Sequence, residues 1–190
     1  ASQGAVWGAN ASILEIDLTS PGLVGVASAL APGVLRLGGS EAGANVTYVG
    51  FPGVDRPCPA GYYYCITRSR WDAILAFAAK TGVRLMLDLN LIGPGGADDW
   101  PAALAQIEAL VGYTAKQQAS LRPWAFELGN ENQDILAPAE AAARGAAVAA
   151  VLAKHWPLKG ERPLLVGPSV HLEPDWIIDF VHALPTAPLP

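Results

Sequence analysis

The chain has 190 residues, of which 52% are hydrophobic and 15% charged, and seventeen acids against twelve bases leave a formal charge of −5. So much apolar content with so little charge excludes an intrinsically disordered chain. The acidic balance and the absence of any Lys/Arg cluster argue against nucleic acid as a partner. No run approaches the roughly 18 to 20 apolar residues of a transmembrane segment. The Ala-rich stretch Ala139–Ala153 is broken by Glu140, Arg144 and Gly145 and reads as a helix outside the membrane. The chain opens at Ala1 without a charged or apolar leader, as expected if a signal peptide has already been removed.

In chain order, Ser12–Leu18 alternates as a strand and meets a turn at Pro21-Gly22. Leu23–Leu30 reads as a short helix, and Gly33–Leu37 as a second strand running into Gly38-Gly39. Glu41–Thr67 is rich in Gly, Pro and Tyr without periodicity, the mark of a functional insertion. Trp71, Ile74, Leu75 and Ala78 fall at helical spacing up to Gly82, and Val83–Leu89 is a strand. Asp98-Asp99 caps a helix whose inner face carries Trp100, Leu104, Ile107 and Val111. Trp124–Leu128, a long helix Pro138–Trp156, a strand Leu164–Val166 and a helix Pro174–Leu184 complete the alternation.

Strands alternating with helices imply α/β class with a parallel sheet. A dinucleotide fold would show Gly-x-Gly-x-x-Gly after its first strand, where this chain has Thr-Ser-Pro-Gly. The expected architecture is therefore a partial (β/α)8 TIM barrel with about five βα units.

Cys58 and Cys65 enclose a Pro/Gly/Tyr loop and are expected to form a small disulfide, since zinc lacks further ligands nearby. Asn10-Ala11-Ser12 and Asn45-Val46-Thr47 are N-glycosylation sequons. Together these features point to a secreted or cell-surface glycoprotein. No metal ion and no cofactor are implied.

In a parallel barrel the reactive side chains collect where strands end. Those ends hold Asp17, then Arg36 with Gly38-Gly39-Ser40, then Asp88 and Asn90, then Asn130-Glu131, and last Ser169 with His171. The sharpest is Phe126-Glu127-Leu128-Gly129-Asn130-Glu131, where an apolar strand runs into an amide and a carboxyl group. A carboxylic acid in a cleft serves as proton donor, and the amide beside it suits a sugar hydroxyl. His171 is a candidate for substrate binding and Tyr62-Tyr63-Tyr64 for carbohydrate contact. Trp71, Trp100 and Trp176 belong to buried helix faces.

Leu35-Arg36-Leu37-Gly38-Gly39-Ser40, Leu87-Asp88-Leu89-Asn90, the Gly129-Asn130-Glu131 element and Val166-Gly167-Pro168-Ser169 occur here in one order. Their combination resembles the heparanase-like enzymes, family 79 of the glycoside hydrolases, which includes β-glucuronidases. The resemblance implies that Glu131 is the general acid/base of a retaining mechanism and that Asn130 contacts the sugar 2-hydroxyl. It places Asp17 near the substrate and Arg36, Gly38 and Gly39 in a structural role beneath the cleft, while Asn90, at the third strand end, is a candidate for substrate binding. It further implies a nucleophilic Glu on a later barrel strand, beyond Pro190. A second chain or downstream segment is then expected to complete the barrel, with any β-sandwich also lying outside these residues.

Two departures touch the substrate side. Asn132 stands where the family usually has Pro, and Thr19 follows Asp17 where Asn is common. A glucuronide or related uronic-acid-bearing glycan is the expected substrate, because sulfated chains need Lys/Arg clusters that are absent. The alternative is a non-catalytic carbohydrate-binding or structural extracellular glycoprotein on a degenerate hydrolase scaffold.

Overall fold

A computed structural model describes residues 15–51, 53–54, 57–60, 62, 64–93, 98–171 and 173–185. Within them the order is α1 (Pro21–Ala29), β1 (Val34–Leu37), α2 (Ser40–Asn45), β2 (Val46–Val49), β3 (Tyr64–Thr67), α3 (Arg68–Thr81) and β4 (Arg84–Asp88). There follow α4 (Trp100–Thr114), β5 (Ala125–Glu127), α5 (Pro138–His155), β6 (Leu164–Val166) and α6 (Pro174–Ala183).

Local chemistry sets the helix ends. The Thr67 hydroxyl accepts from the Arg70 amide at the start of α3, and Gly82 closes that helix in the left-handed region at φ 75°. Asp99 caps α4 by accepting from the Ala102 amide at 3.2 Å. Pro lies at the first turn of α1, α4, α5 and α6, where its missing N–H removes no helical bond.

β1, β4, β5 and β6 form one parallel sheet in that order. Arg36 lies in register with Met86, Met86 with Ala125, and Ala125 with Leu164. Because side chains alternate along each strand, Leu35, Leu37, Leu85, Leu87 and Phe126 share one face. That face packs on Trp71, Ile74 and Leu75 of α3, Ile107 and Leu110 of α4, and Val148 and Leu152 of α5. Full burial of each such side chain stabilises by roughly 1.5–3 kcal/mol, which makes this layer the core. Trp71 fits it because its indole N–H donates to Thr114 Oγ1 at 2.9 Å. The opposite face carries Arg36, Met86, Asp88, Ala125, Glu127 and Val166, together with Val34 (43% exposed) and Leu164 (51% exposed). A parallel sheet with helices over one face and polar strand ends on the other is a partial TIM barrel.

Two expectations are corrected. Glu15–Leu18 is turn rather than strand, and residues 12–14 lie outside the described region. Asp17 Oδ1 accepts from the Thr19 amide at 2.8 Å and the Thr19 hydroxyl at 2.6 Å, which folds the chain into the start of α1. The main sheet thus has four strands among the described residues instead of five. The 41–67 insertion is also partly regular: β2 and β3 pair in parallel as a separate two-stranded sheet, Val46 opposite Tyr64 and Val49 opposite Thr67. Among the described residues, no helix is long and apolar enough to cross a membrane.

Candidate active site

The strand ends bring Arg36, Asp88 and Glu127 onto one face, and the loop after β5 lies over them. Arg36 Nε donates to Glu127 Oε2 at 2.7 Å, and Arg36 Nη2 donates to Asn130 Oδ1 at 2.8 Å. Glu127 is buried, so the guanidinium supplies the counter-charge that makes its burial tolerable. That same bond to Glu127 raises the Arg36 pKa further. One cation therefore holds the strand end and Asn130, three residues further on, together.

The loop itself is shaped by its backbone. Gly129 sits at φ 68°, and a Cβ there would collide with the Asn132 side-chain amide. Only glycine meets both demands. Glu131 is the sole non-glycine with positive φ among the described residues, at 50°. Its amide donates to Ser169 O at 2.8 Å, and Asn130 bridges to Ser169 in parallel. The left-handed turn directs an exposed Glu131 away from the core, where its Oε2 lies 3.5 Å from Ser40 Oγ. Asn130 Nδ2 reaches the same hydroxyl at 3.5 Å. Ser40, Asn130, Glu131, Asn132, Ile135 and His171 line a shallow cleft of about 390 Å³.

Asn132, at the position where the family resemblance leads one to expect Pro, is buried and folds back over Gly129. It begins the short helical turn Asn132–Asp134.

The other predicted positions separate. His171 is exposed on the cleft with Glu131. Asn90 is buried, and its side chain is spent on its own surroundings: it donates to Val46 O and Gly93 O and accepts from the Ile92 and Gly93 amides. Asp17 lies exposed at the entry to α1, and its bonds from Thr19 hold its carboxyl below the usual range. Gly38 lies where Arg36 and Asp88 meet: a Cβ there would stand 2.9 Å from Arg36 Cζ and 3.0 Å from Asp88 Cβ. The Gly39 amide faces Asp88.

Cys58 and Cys65 are disulfide-bonded, as the spacing predicts. Asn45 is half-buried at the end of α2 and Thr47 is buried in β2, while Asn10 lies outside the described residues. The Tyr62 hydroxyl accepts from Gln106 Nε2 on α4 at 3.1 Å. Asp98, expected to share the capping of α4 with Asp99, instead pairs with the buried Arg144 at 2.7 Å. Among the described residues no three His, Cys, Asp or Glu side chains converge as metal ligands.

Sequence reasoning passed over Glu127 as a strand residue. Its position two residues after Ala125 places it on the same face, and that alternation was the available signal. Asp88 was legible as a strand-end polar residue, but its burial was not.

The family model described as glycosyl hydrolase family 79, N-terminal domain, matches residues 3–188. Heparanase-like protein 3 of Arabidopsis thaliana is 25% identical over 193 residues, covering 91% of this chain and 35% of that protein. The chain thus spans about a third of the length of this curated relative. It belongs to glycosyl hydrolase family 79, whose N-terminal domain it carries.

Proposed function

We propose that this chain supplies the acid/base half of a retaining glycoside hydrolase acting on a glucuronide or related uronic-acid-bearing glycan. The observation that carries the reading is Glu131, held in a left-handed turn at an open cleft beside Ser40 and His171. Glu131 protonates the leaving glycosidic oxygen as the bond to the anomeric carbon breaks, and then takes a proton from the water that attacks that carbon. Asn130, its Oδ1 already engaged by Arg36, turns its Nδ2 toward the sugar 2-hydroxyl. The nucleophilic carboxylate, roughly 5 to 5.5 Å from Glu131 in a retaining site, comes from a segment outside these residues. Exposed Val34 and Leu164 on the barrel-facing side support such a completing segment. The disulfide supports a secreted or cell-surface location, and the sequon at Asn45 a glycan there.

The test uses the full-length protein and Glu131→Ala on two substrates, methyl β-glucuronide and 4-nitrophenyl β-glucuronide. Methanol needs protonation to leave and nitrophenolate does not. The first bond-breaking step should therefore suffer far more with the methyl glycoside. Equal loss on both, or none, would defeat the assignment. No hydrolysis by the unaltered protein would favour the second reading, a carbohydrate-binding protein on a degenerate scaffold.

A further inference from the structure

Asp88 is the ionisable side chain beneath the cleft that the proposed reaction leaves unused. It is 1% exposed, and neither of its carboxylate oxygens has a hydrogen-bond partner. Buried polar atoms are almost always paired, so an unpaired carboxyl group calls for a physical reason.

Its surroundings are specific. Glu127 stands opposite it in register on β5, and Arg36 of β1 meets it over Gly38. From β2, the Tyr48 hydroxyl donates to the Asp88 main-chain oxygen at 3.5 Å. The Gly39 and Gly129 amides point toward the carboxyl group and favour its charged form, but less than its burial opposes it. Glu131, on the loop beyond β5, also acts on Arg36. One guanidinium thus serves three carboxyl groups. Burial first, and then the charge of Glu127, push the Asp88 pKa well above the carboxylate range. It therefore holds its proton into a range where ordinary carboxyl groups have lost theirs.

We propose that Asp88 is a positioning residue for the acid/base loop: while protonated it leaves Arg36 to Glu127 and Asn130, and once ionised it draws Arg36 away from Asn130. The proton passes to solvent, and only hydrogen bonds rearrange. Asn130 is the partner that gives way, because its amide oxygen brings only a dipole to the guanidinium, whereas a carboxylate brings a full opposite charge and a second acceptor oxygen. Losing Arg36 frees the residue that precedes Glu131. The effect on hydrolysis rests on the glycosidase reading; the movement of Arg36 does not.

The test is a pH titration of the full-length protein and its Asp88→Asn variant, following the NMR signal of the Arg36 Nε–H and hydrolysis of methyl β-glucuronide. In the unaltered protein the Arg36 signal should move in one step, with a midpoint above the ordinary carboxylate range. The step should vanish in Asp88→Asn, whose side chain stays neutral. The alkaline limit of hydrolysis should lie about one pH unit or more higher in the variant. An Arg36 step that survives the substitution overturns the proposal, and so do superimposable alkaline limits. If the variant does not fold, the unaltered protein decides: no step in its Arg36 signal is equally fatal. Absence of hydrolysis at every pH counts against the glycosidase reading and leaves the Arg36 signal to judge Asp88.

Discussion

Arg36 Nε donates to Glu127 Oε2 at 2.7 Å across two sheet strands that are not neighbours, since β4 lies between them. The pair therefore spans the floor of the cleft and ties β1 to β5 above Asp88. Removing one partner leaves the other with an uncompensated charge. Arg36→Met should destabilise the protein by about 1–3 kcal/mol, less than for a fully buried pair because the arginine is partly exposed. The double variant Arg36→Met/Glu127→Gln should lose less than the sum of the two singles, read from denaturant midpoints. Simple additivity would show that the two side chains do not act as a pair.

Glu131→Gln keeps the shape of the carboxyl group and removes its proton chemistry. Hydrolysis of methyl β-glucuronide should fall by roughly 10²–10⁴-fold with little change in KM, the loss typical of a missing general acid. Steady-state kinetics on the full-length protein check it. Retained kcat would remove Glu131 from the chemistry.

Gly129→Ala meets both a positive φ and the Asn132 amide. The left-handed backbone alone costs a non-glycine residue about 1–2 kcal/mol, and Asn132 must also move. Thermal stability should drop, and activity should drop with it because Asn130 and Glu131 follow directly in the chain. A variant of unchanged stability would contradict the turn as described.

The raised pKa of Asp88 carries a sign for stability. Unfolded, this carboxyl group titrates at about 3.9, so folding binds a proton at any pH between that value and the raised one. Its favourable contribution is fully present below the unfolded value and is lost as pH rises toward the folded value. Asp88→Asn should therefore gain stability over the unaltered protein as pH increases, with the smallest difference at acid pH. Unfolding midpoints across a pH series check this, and parallel curves would count against it.

The longer helices were readable because each adds a local signal to its apolar residues: Pro at the first turn of α1, α4, α5 and α6, an Asp cap on α4, and a Thr cap with a left-handed Gly stop on α3, whereas the six-residue α2 offers none of these. The 15–18 turn was misleading for a physical reason. Ile16 and Leu18 alternate with polar neighbours because Leu18 sits in the hydrophobic core and Ile16 packs against it, and this produces the same pattern as a strand. β2 and β3 have four residues each, too few to show a period, and their pairing is long-range. At the site, the Asn130-Glu131 pair was visible because a strand ends there. That Asn90 folds inward onto Val46 and Gly93 depends on where β2 passes, which no local pattern encodes.

The Glu131 amide hangs from the main-chain oxygen of Ser169, and Asn130 bridges to the same residue. The segment bearing the proposed proton donor is thus suspended from the neighbouring loop, the one that also presents His171 to the cleft. Any change to residues 168–171 made to alter which sugar is accepted will also shift the donor. Under the proposed reaction, selectivity and rate would share one hinge, and attempts to retune the first would register in the second.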